Sequence, residues 1–264
     1  MKAMVSVAAM AAIVLATGCS TDRIHSWMRA KPAEVTDFLP GNERLVRWPD
    51  TFPVHYSWMD TNAVVKADFK NVYIAPFDTS YLRKGNGYDT LRDKAVGLDD
   101  AIVELGEYGR KAFVQAFKAR ESETGLKVVD DPSLPHTVIL EFAITAFVPT
   151  RAEIEVIGTV GSFFCPFPGV GLVADYLASG SLAIECRMRD SVSREIVLMF
   201  ADTEGEPNAL LQFSKYSYTA AAKINLKRLA AQTVESCVVE DASKLRRPFP
   251  FSFIALPWES KLND

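Results

Sequence analysis

Two long segments of the chain place apolar residues at three- and four-residue spacing, which is the pattern of a helix that packs by one face. The first covers residues 98–120, and the second covers residues 214–239. Gly106 and Gly109 lie on the apolar stripe of the first segment, where small residues permit close packing against a sheet. Both segments therefore predict amphipathic helices.

Five shorter segments have the composition or the alternation of β-strands. In chain order they are residues 71–77, 126–130, 136–148, 181–189 and 195–200. Strict alternation in the fourth segment predicts an apolar inner face and a solvated outer face. The inner residues are Leu182, Ile184, Cys186 and Met188, and the outer residues are Glu185, Arg187 and Arg189. A polar turn after this segment predicts a hairpin with the fifth.

The order of these elements is strand, helix, strand, strand, insertion, strand, strand, helix. Strands mixed with two packing helices predict an α+β fold, a two-layer mixed sheet with two packing helices. We expect this domain to occupy residues 69–247. Residues 19–68 would precede it as an irregular N-terminal arm that packs across the domain. Residues 248–264 would follow it as an extended C-terminal tail.

The insertion contains residues 156–174, VIGTVGSFFCPFPGVGLVA, nineteen positions without a charged side chain. Its length just reaches the roughly 20 apolar residues of a transmembrane helix. Its glycines and prolines would break that helix, and irregular backbone cannot face lipid. We expect a buried connection between strands, or a loop that meets the bilayer interface or a second subunit. The candidate interaction surface of such a loop is Phe163, Phe164 and Phe167.

The N-terminus has the pattern of a secretory signal over residues 1–18, because Lys2 precedes an apolar run and small residues precede Cys19. Residues 15–19, LATGC, resemble the bacterial lipobox, which implies acylation of Cys19 with chains such as palmitate. The alternative is an ordinary signal peptide. Two or more acyl chains would anchor the protein to a membrane without spanning it. Ser20 follows the cysteine, and by resemblance to lipoprotein sorting this favours the outer membrane, on its periplasmic side.

Charge and cysteine content exclude several classes of partner. The formal net charge is −4, so the chain has no basic excess to hold phosphates, and we expect no nucleic-acid partner. Beside Cys19 there are three cysteines, which permit at most one disulfide bond. We expect Cys186 and Cys237 to be small core residues and Cys165 to be exposed. Their spacing has no metal-ligand pattern, so we expect neither a metal nor a cofactor.

No set of residues in the sequence forms a catalytic motif. Of the three histidines, His25 and His55 lie in the arm and His136 opens a strand, where a surface histidine is the simplest interpretation. A Gly-x-Ser-x-Gly elbow is absent from the sequence. We therefore assign no catalytic residue and predict that the protein is not an enzyme.

Glu141 interrupts an otherwise apolar strand segment. Exposure at a sheet edge explains it more simply than a functional carboxylate does. The two outer arginines of residues 181–189 could pair with it across strands.

Several short motifs lie in the arm, the strands and the hairpin. They are Phe38-Leu39, a strand that ends at Pro76, the Gly-rich apolar stretch, Glu185, Asp190 with Glu195, and Phe200-Ala201-Asp202. Together they resemble the bacterial lipoprotein family known as domain of unknown function 3313, over residues 37–238. The turn of the hairpin departs from that family, because it reads Ser-Val-Ser-Arg where the family often has Thr-Gly. The order of elements is also similar, as a fold-level analogy, to lipoprotein domains of transport accessories and of the curli secretion channel.

The resemblance implies an envelope lipoprotein without an assigned activity. The first hypothesis is a membrane-anchored binding or assembly component that meets an envelope protein or the membrane through residues 156–174. The alternative is a subunit of a homo-oligomeric outer-membrane channel or transport accessory, with the same segment between subunits.

Overall fold

The computed structural model describes residues 32–47, 54–82, 97–148, 181–205, 208–212, 219–239 and 251–255. Within them, a seven-stranded mixed sheet packs against two long helices. The predicted α+β fold, with a mixed sheet and two packing helices, is confirmed.

The bounds of the elements follow in chain order. The strands are β1 (Val46–Arg47), β2 (Tyr56–Met59), β3 (Asn71–Ile74), β4 (Lys127–Val128), β5 (Thr137–Val148), β6 (Ser181–Asp190), β7 (Ile196–Gly205), β8 (Asn208–Gln212) and β9 (Phe251–Ala255). The helices are α1 (Thr61–Ala67), α2 (Leu98–Ala119), α3 (Glu121–Thr124) and α4 (Ala220–Val238).

The sheet has the strand order β1-β2-β7-β6-β5-β3-β4. Strands β2, β7, β6 and β5 are antiparallel neighbours, whereas β3 pairs in parallel with both β5 and β4. The predicted hairpin is confirmed as β6–β7, and Asp190 closes its turn by accepting hydrogen bonds from the backbone N–H groups of Val192 and Ser193. Outside this sheet, β8 and β9 form a separate parallel pair, and β9 is the described part of the tail.

Helix α2 packs against the sheet and against α4 through the predicted apolar stripe. At Gly109 an added Cβ would lie 2.8 Å from two ring atoms of Phe77 and 3.2 Å from Leu226 of α4. Only a glycine at this position permits the close approach of the helix to both neighbours. Gly106 is less crowded, because a Cβ there would lie 3.4 Å from Phe77.

The arm was predicted to be irregular and to pack across the domain. The first part is wrong, because β1, β2 and α1 all lie within residues 46–67. Strand β2 pairs with β7, and the Asp60 side chain caps α1 by accepting a hydrogen bond from the Ala63 N–H. The second part is confirmed for residues 32–39, since Phe38 and Leu39 are buried on the sheet face opposite the long helices.

The predicted burial of the cysteines is confirmed for Cys186 and wrong for Cys237. Cys186 is buried in the core, as predicted, and its burial raises the pKa of its thiol well above the usual value. Cys237 is exposed near the end of α4, so its prediction as a core residue is wrong. Both are free thiols. Cys165 lies outside the described residues.

Candidate functional site

Three buried ionisable side chains line a small cavity at the start of the arm. The strand register places Asp202 opposite Ile184 of the helix-covered core, whereas Glu185 lies opposite Ala201 on the arm-covered face. His55 immediately precedes β2, Glu185 lies in the middle of β6, and Asp202 lies in β7. Their exposed fractions are 0%, 1% and 3%. Buried ionisable groups are rare unless they are paired and hydrogen-bonded, so this cluster is the natural place to look for function.

His55 attaches the chain before β2 to β7. Its Nδ1 lies 2.6 Å from Asp202 Oδ1, and its backbone N–H donates to the same oxygen at 3.1 Å. The Thr203 backbone nitrogen also lies near this pair, 3.2 Å from His55 Nδ1. The last ladder pair of these strands is Tyr56 with Ala201, so the histidine side chain continues the β2–β7 connection beyond the ladder.

The Glu185 carboxylate binds the arm directly. It accepts a hydrogen bond from the Thr36 N–H at 2.6 Å and another from the Thr36 hydroxyl at 2.7 Å. The prediction that Glu185 lies on a solvated face is therefore wrong. The face was predicted correctly as the one opposite the core, but the arm covers it.

Glu141 binds the two arginines that the alternation places beside it. Arg187 and Arg189 both donate to its Oε2, so the predicted cross-strand pairing is confirmed. The expectation of an edge position is wrong, because β5 lies inside the sheet and Glu141 is half-buried. Arg187 also donates to the carbonyl oxygen of Phe38 at 2.7 Å, and its Cζ lies 4.3 Å from the centre of the Phe38 ring. The ion pair thus extends to the arm.

The cavity among these groups is very small. It lies between the start of the arm and the sheet, and its volume of about 10 Å³ is room for about one water molecule. Its lining residues are Pro32, Ala33, Glu34, His55, Tyr56, Thr145, Ala183, Ile184, Glu185, Ala201, Asp202 and Thr203. The lining contains no serine or cysteine side chain, and within the described residues the cavity beside the histidine–aspartate pair holds no more than about one water molecule. The chemistry of this arrangement is the fastening of one segment to another.

Several predicted site residues lie outside the described residues: Cys19, His25, Phe163, Phe164 and Phe167. His136 is exposed at the start of β5, as predicted, where its Nδ1 lies 3.3 Å from the Ala67 carbonyl oxygen. The described residues hold no group of three or more side chains able to ligate a metal ion. None of the described helices is both long enough and apolar enough to cross a membrane.

The sequence did not predict the contact between His55 and Asp202. The pair is separated by 147 residues, and no local pattern marks it. One signal was available, since Asp202 ends an uninterrupted apolar run in the chain, Ile196 to Ala201, and so enters the sheet with no polar neighbour before it.

No family model and no curated protein matches this chain. Among solved structures, two crystal forms of a PelC dodecamer from Paraburkholderia phytofirmans match with TM-scores of 0.34 and 0.32, at 8% identity, over 66% of this chain and 91% of that chain. A protein of the DUF330 family from Xanthomonas campestris matches with a TM-score of 0.31 and 9% identity, over 64% of this chain and 82% of that chain. Similarities of this size assign no function.

Proposed function

We propose that this protein is an envelope lipoprotein, held by a lipid on Cys19 at the periplasmic side of the outer membrane. It serves there as a non-catalytic binding or assembly component. One observation carries this proposal: the start of the described arm and the two strand ends that flank residues 149–180 lie at the same end of the sheet.

The geometry of that end follows from three contacts. The Ala33 N–H donates to the Thr203 hydroxyl at 2.9 Å. Gly205, two residues further along β7, pairs with Ser181, which pairs with Val148. Two residues of a strand span about 7 Å. The start of the described arm and both described ends of the 149–180 segment therefore lie within one short edge of the sheet.

A lipid on Cys19 would keep this end of the domain close to the bilayer. The chain from Cys19 to Ala33 is about 14 residues and reaches at most ~50 Å when fully extended. Val148 and Ser181, the described residues that flank the 149–180 segment, would then lie at the end of the sheet nearest the membrane. In this arrangement Phe163, Phe164 and Phe167 are the proposed contact residues for the bilayer interface or an envelope partner.

The buried polar cluster supports a non-catalytic role. His55, Glu185 and Asp202 bind backbone and side-chain groups of the chain itself. The cavity beside them has no room for a substrate larger than about one water molecule. The polar groups of this cluster thus hold the fold together at the end where the arm begins.

Membership of the domain of unknown function 3313 family remains part of the proposal. Two of the motifs that carry the resemblance meet in space, although they are far apart in the chain. Phe38-Leu39 lie on the face that presents Glu185, and Asp202 lies on the neighbouring strand β7, opposite Ile184 of the other face. The motifs are therefore those of a sheet with its arm attached, which is the structural core that such a family would share.

The alternative is a subunit of a homo-oligomeric outer-membrane channel or transport accessory. The same segment favours it, because an apolar stretch of nineteen residues without a charge is suited to an interface between subunits. In that arrangement a neighbouring subunit covers residues 156–174.

The first test is lipidation in a Gram-negative host. The full-length chain and its Cys19→Ser variant would be labelled with an alkyne analogue of palmitate and fractionated on a density gradient. We expect label and outer-membrane sedimentation for the wild type only. A wild-type chain that is unlabelled and recovered in the soluble periplasmic fraction contradicts the proposal.

A second test separates the two candidates. The soluble chain from Ser20 would be sized by light scattering, with residues 156–174 intact and with a short Gly-Ser loop in their place. A monomer that binds liposomes only with the segment intact favours the membrane contact. A defined oligomer that the replacement converts to a folded monomer favours the subunit role.

A further inference from the structure

The arm lies on the sheet as a peptide lies in a binding groove. We define the arm groove as the face of β6 and β7 beneath residues 32–39. Side chains of the groove bind main-chain groups of the arm at successive points along it. Thr203 accepts from the Ala33 N–H, Glu185 accepts from the Thr36 N–H, and Arg187 donates to the Phe38 carbonyl oxygen. Residues 32–36 meanwhile belong to no helix or strand.

The arm groove also distinguishes side chains. The second oxygen of Glu185 accepts a hydrogen bond from the Thr36 hydroxyl, so the groove favours a residue with a hydroxyl group at this position. Two residues later the Phe38 ring lies between Arg187 and Tyr81, whose ring centre is 5.3 Å away in an edge-to-face arrangement. Leu39 is buried beside it. Residues 36–39 form a turn, in which the Leu39 N–H donates to the Thr36 carbonyl oxygen at 3.3 Å. The groove thus recognises the pattern Thr-x-Phe-Leu in this turn.

The sheet face that forms the arm groove can be exposed to water without opening the main core. The groove and its margin carry Glu141, Glu185, Arg187 and Arg189, which water solvates well. The main core lies on the other face, between the sheet and the long helices. Among the described residues, Ala143, Met199 and Ala201 are buried with Phe38 and Leu39, and partly buried side chains that include Tyr56, Trp58, Tyr81 and Ile196 pack against them. Departure of the arm would therefore expose a mixed surface, charged groups beside a small apolar cluster, and leave the main core closed.

We infer that the arm groove is a binding site for a peptide segment, and that its occupant in trans is the arm of a second copy of this chain. Each copy carries the same complementary segment, so a cis contact between arm and groove can be replaced by an identical trans contact. Exchange of one element between identical chains is a low-cost route to association. The inference rests on the proposed function in one respect: anchored copies share a membrane, which raises their local concentration.

A labelled peptide tests the trans contact directly. The peptide AEVTDFLPGNER, residues 33–44, would be titrated by fluorescence anisotropy against the soluble chain from Ser20. Two chains are compared: the wild type, and the Phe38→Ala variant, whose own arm is weakened while its groove is intact. We expect the variant to bind the peptide about tenfold more tightly than the wild type, because the competing arm holds less strongly.

Two controls establish that binding occurs in the arm groove. Adding Glu185→Gln to the Phe38→Ala chain should weaken binding by about tenfold, since it removes the charge from two hydrogen bonds. A peptide with valine at the position of Thr36 should lose a similar factor. Thr36→Val replaces Phe38→Ala in the chain if the latter does not keep its far-ultraviolet circular dichroism.

Absence of binding at about 1 mM peptide to a folded, arm-weakened chain would overturn the inference. Binding that ignores Glu185→Gln would overturn it as well. The experiment uses no lipid and no membrane. A negative result in the peptide experiment would therefore not contradict the lipid-anchor proposal. A negative result in the Cys19 experiment would not contradict peptide binding in the arm groove.

Discussion

The two faces of the sheet differ in how they are covered. The face beneath α2 and α4 is apolar, and its aromatic residues pack directly: Phe142 stacks on Phe77 with ring centres 4.7 Å apart and lies 4.2 Å from Phe113. The arm-covered face presents Glu185 and a small apolar cluster to the arm. The comparison teaches that one face holds the fold together while the other holds a segment of chain.

The largest effect is expected at the helix-covered face. Phe142→Ala removes a ring that is 1% exposed and contacts three other phenylalanines. We expect the free energy of unfolding to fall by about 3–5 kcal/mol, from lost burial and an unfilled cavity. Urea denaturation followed by circular dichroism measures it. A loss below about 1 kcal/mol would mean that this face is not the main core.

The two glycines of α2 form a matched pair on the same face. Gly109→Ala places a Cβ 2.8 Å from the Phe77 ring, and we expect a loss of about 1–3 kcal/mol from overpacking. Gly106→Ala meets its neighbour at 3.4 Å, an ordinary contact, so helix propensity should leave it neutral or up to about 1 kcal/mol more stable. Thermal unfolding of both variants checks the opposite signs. Equal losses would contradict the packing assigned to Gly109.

On the arm-covered face the corresponding change is Phe38→Ala. The ring is buried as completely as Phe142, yet we expect a loss of only about 1–2 kcal/mol, because the arm can detach by local opening and so limits the cost. Val65→Ala, at a side chain that is 81% exposed, is the surface control and should stay within about 0.5 kcal/mol. If Phe38→Ala cost as much as Phe142→Ala, the faces would not differ in the way described.

The smallest predicted effect is a change in the pH dependence of stability, and it arises from Tyr108 on the helix-covered face. Burial raises the pKa of Tyr108 to about 12, and its hydroxyl has no hydrogen-bond partner among the described residues. Burial penalises the ionised phenolate, so with a folded pKa above the unfolded value of about 10 the full stability is present below pH 10 and is lost as pH rises from 10 to 12. Tyr108→Phe should flatten that decline and add up to about 1 kcal/mol at pH 7. Unfolding measured between pH 7 and 11 tests both; an unchanged alkaline slope would contradict the assignment.

Sequence pattern predicted the helix-covered face well and the arm-covered face poorly. The stripe of α2 and the alternation of β6 are local, so the helix, the hairpin and the inward set with Ile184 and Cys186 followed from spacing alone. The contact between Thr36 and Glu185 joins residues 149 apart. Local hydrophobic periodicity carries no information about contacts at such a separation. The charged outer residues of β6 therefore predicted a face exposed to solvent. Strand β2 and helix α1 were missed because they are short segments within an arm interrupted by prolines.

The central claim is that the arm is held by its own, weaker set of contacts. Native-state hydrogen exchange on the soluble chain from Ser20 tests it most directly, by comparing the amides of Thr36 and Phe38 with that of Phe142. We predict that the two arm amides exchange through a local opening with little dependence on denaturant, whereas the Phe142 amide exchanges only with global unfolding. Equal free energies of exchange for all three, with equal dependence on denaturant, would contradict the account.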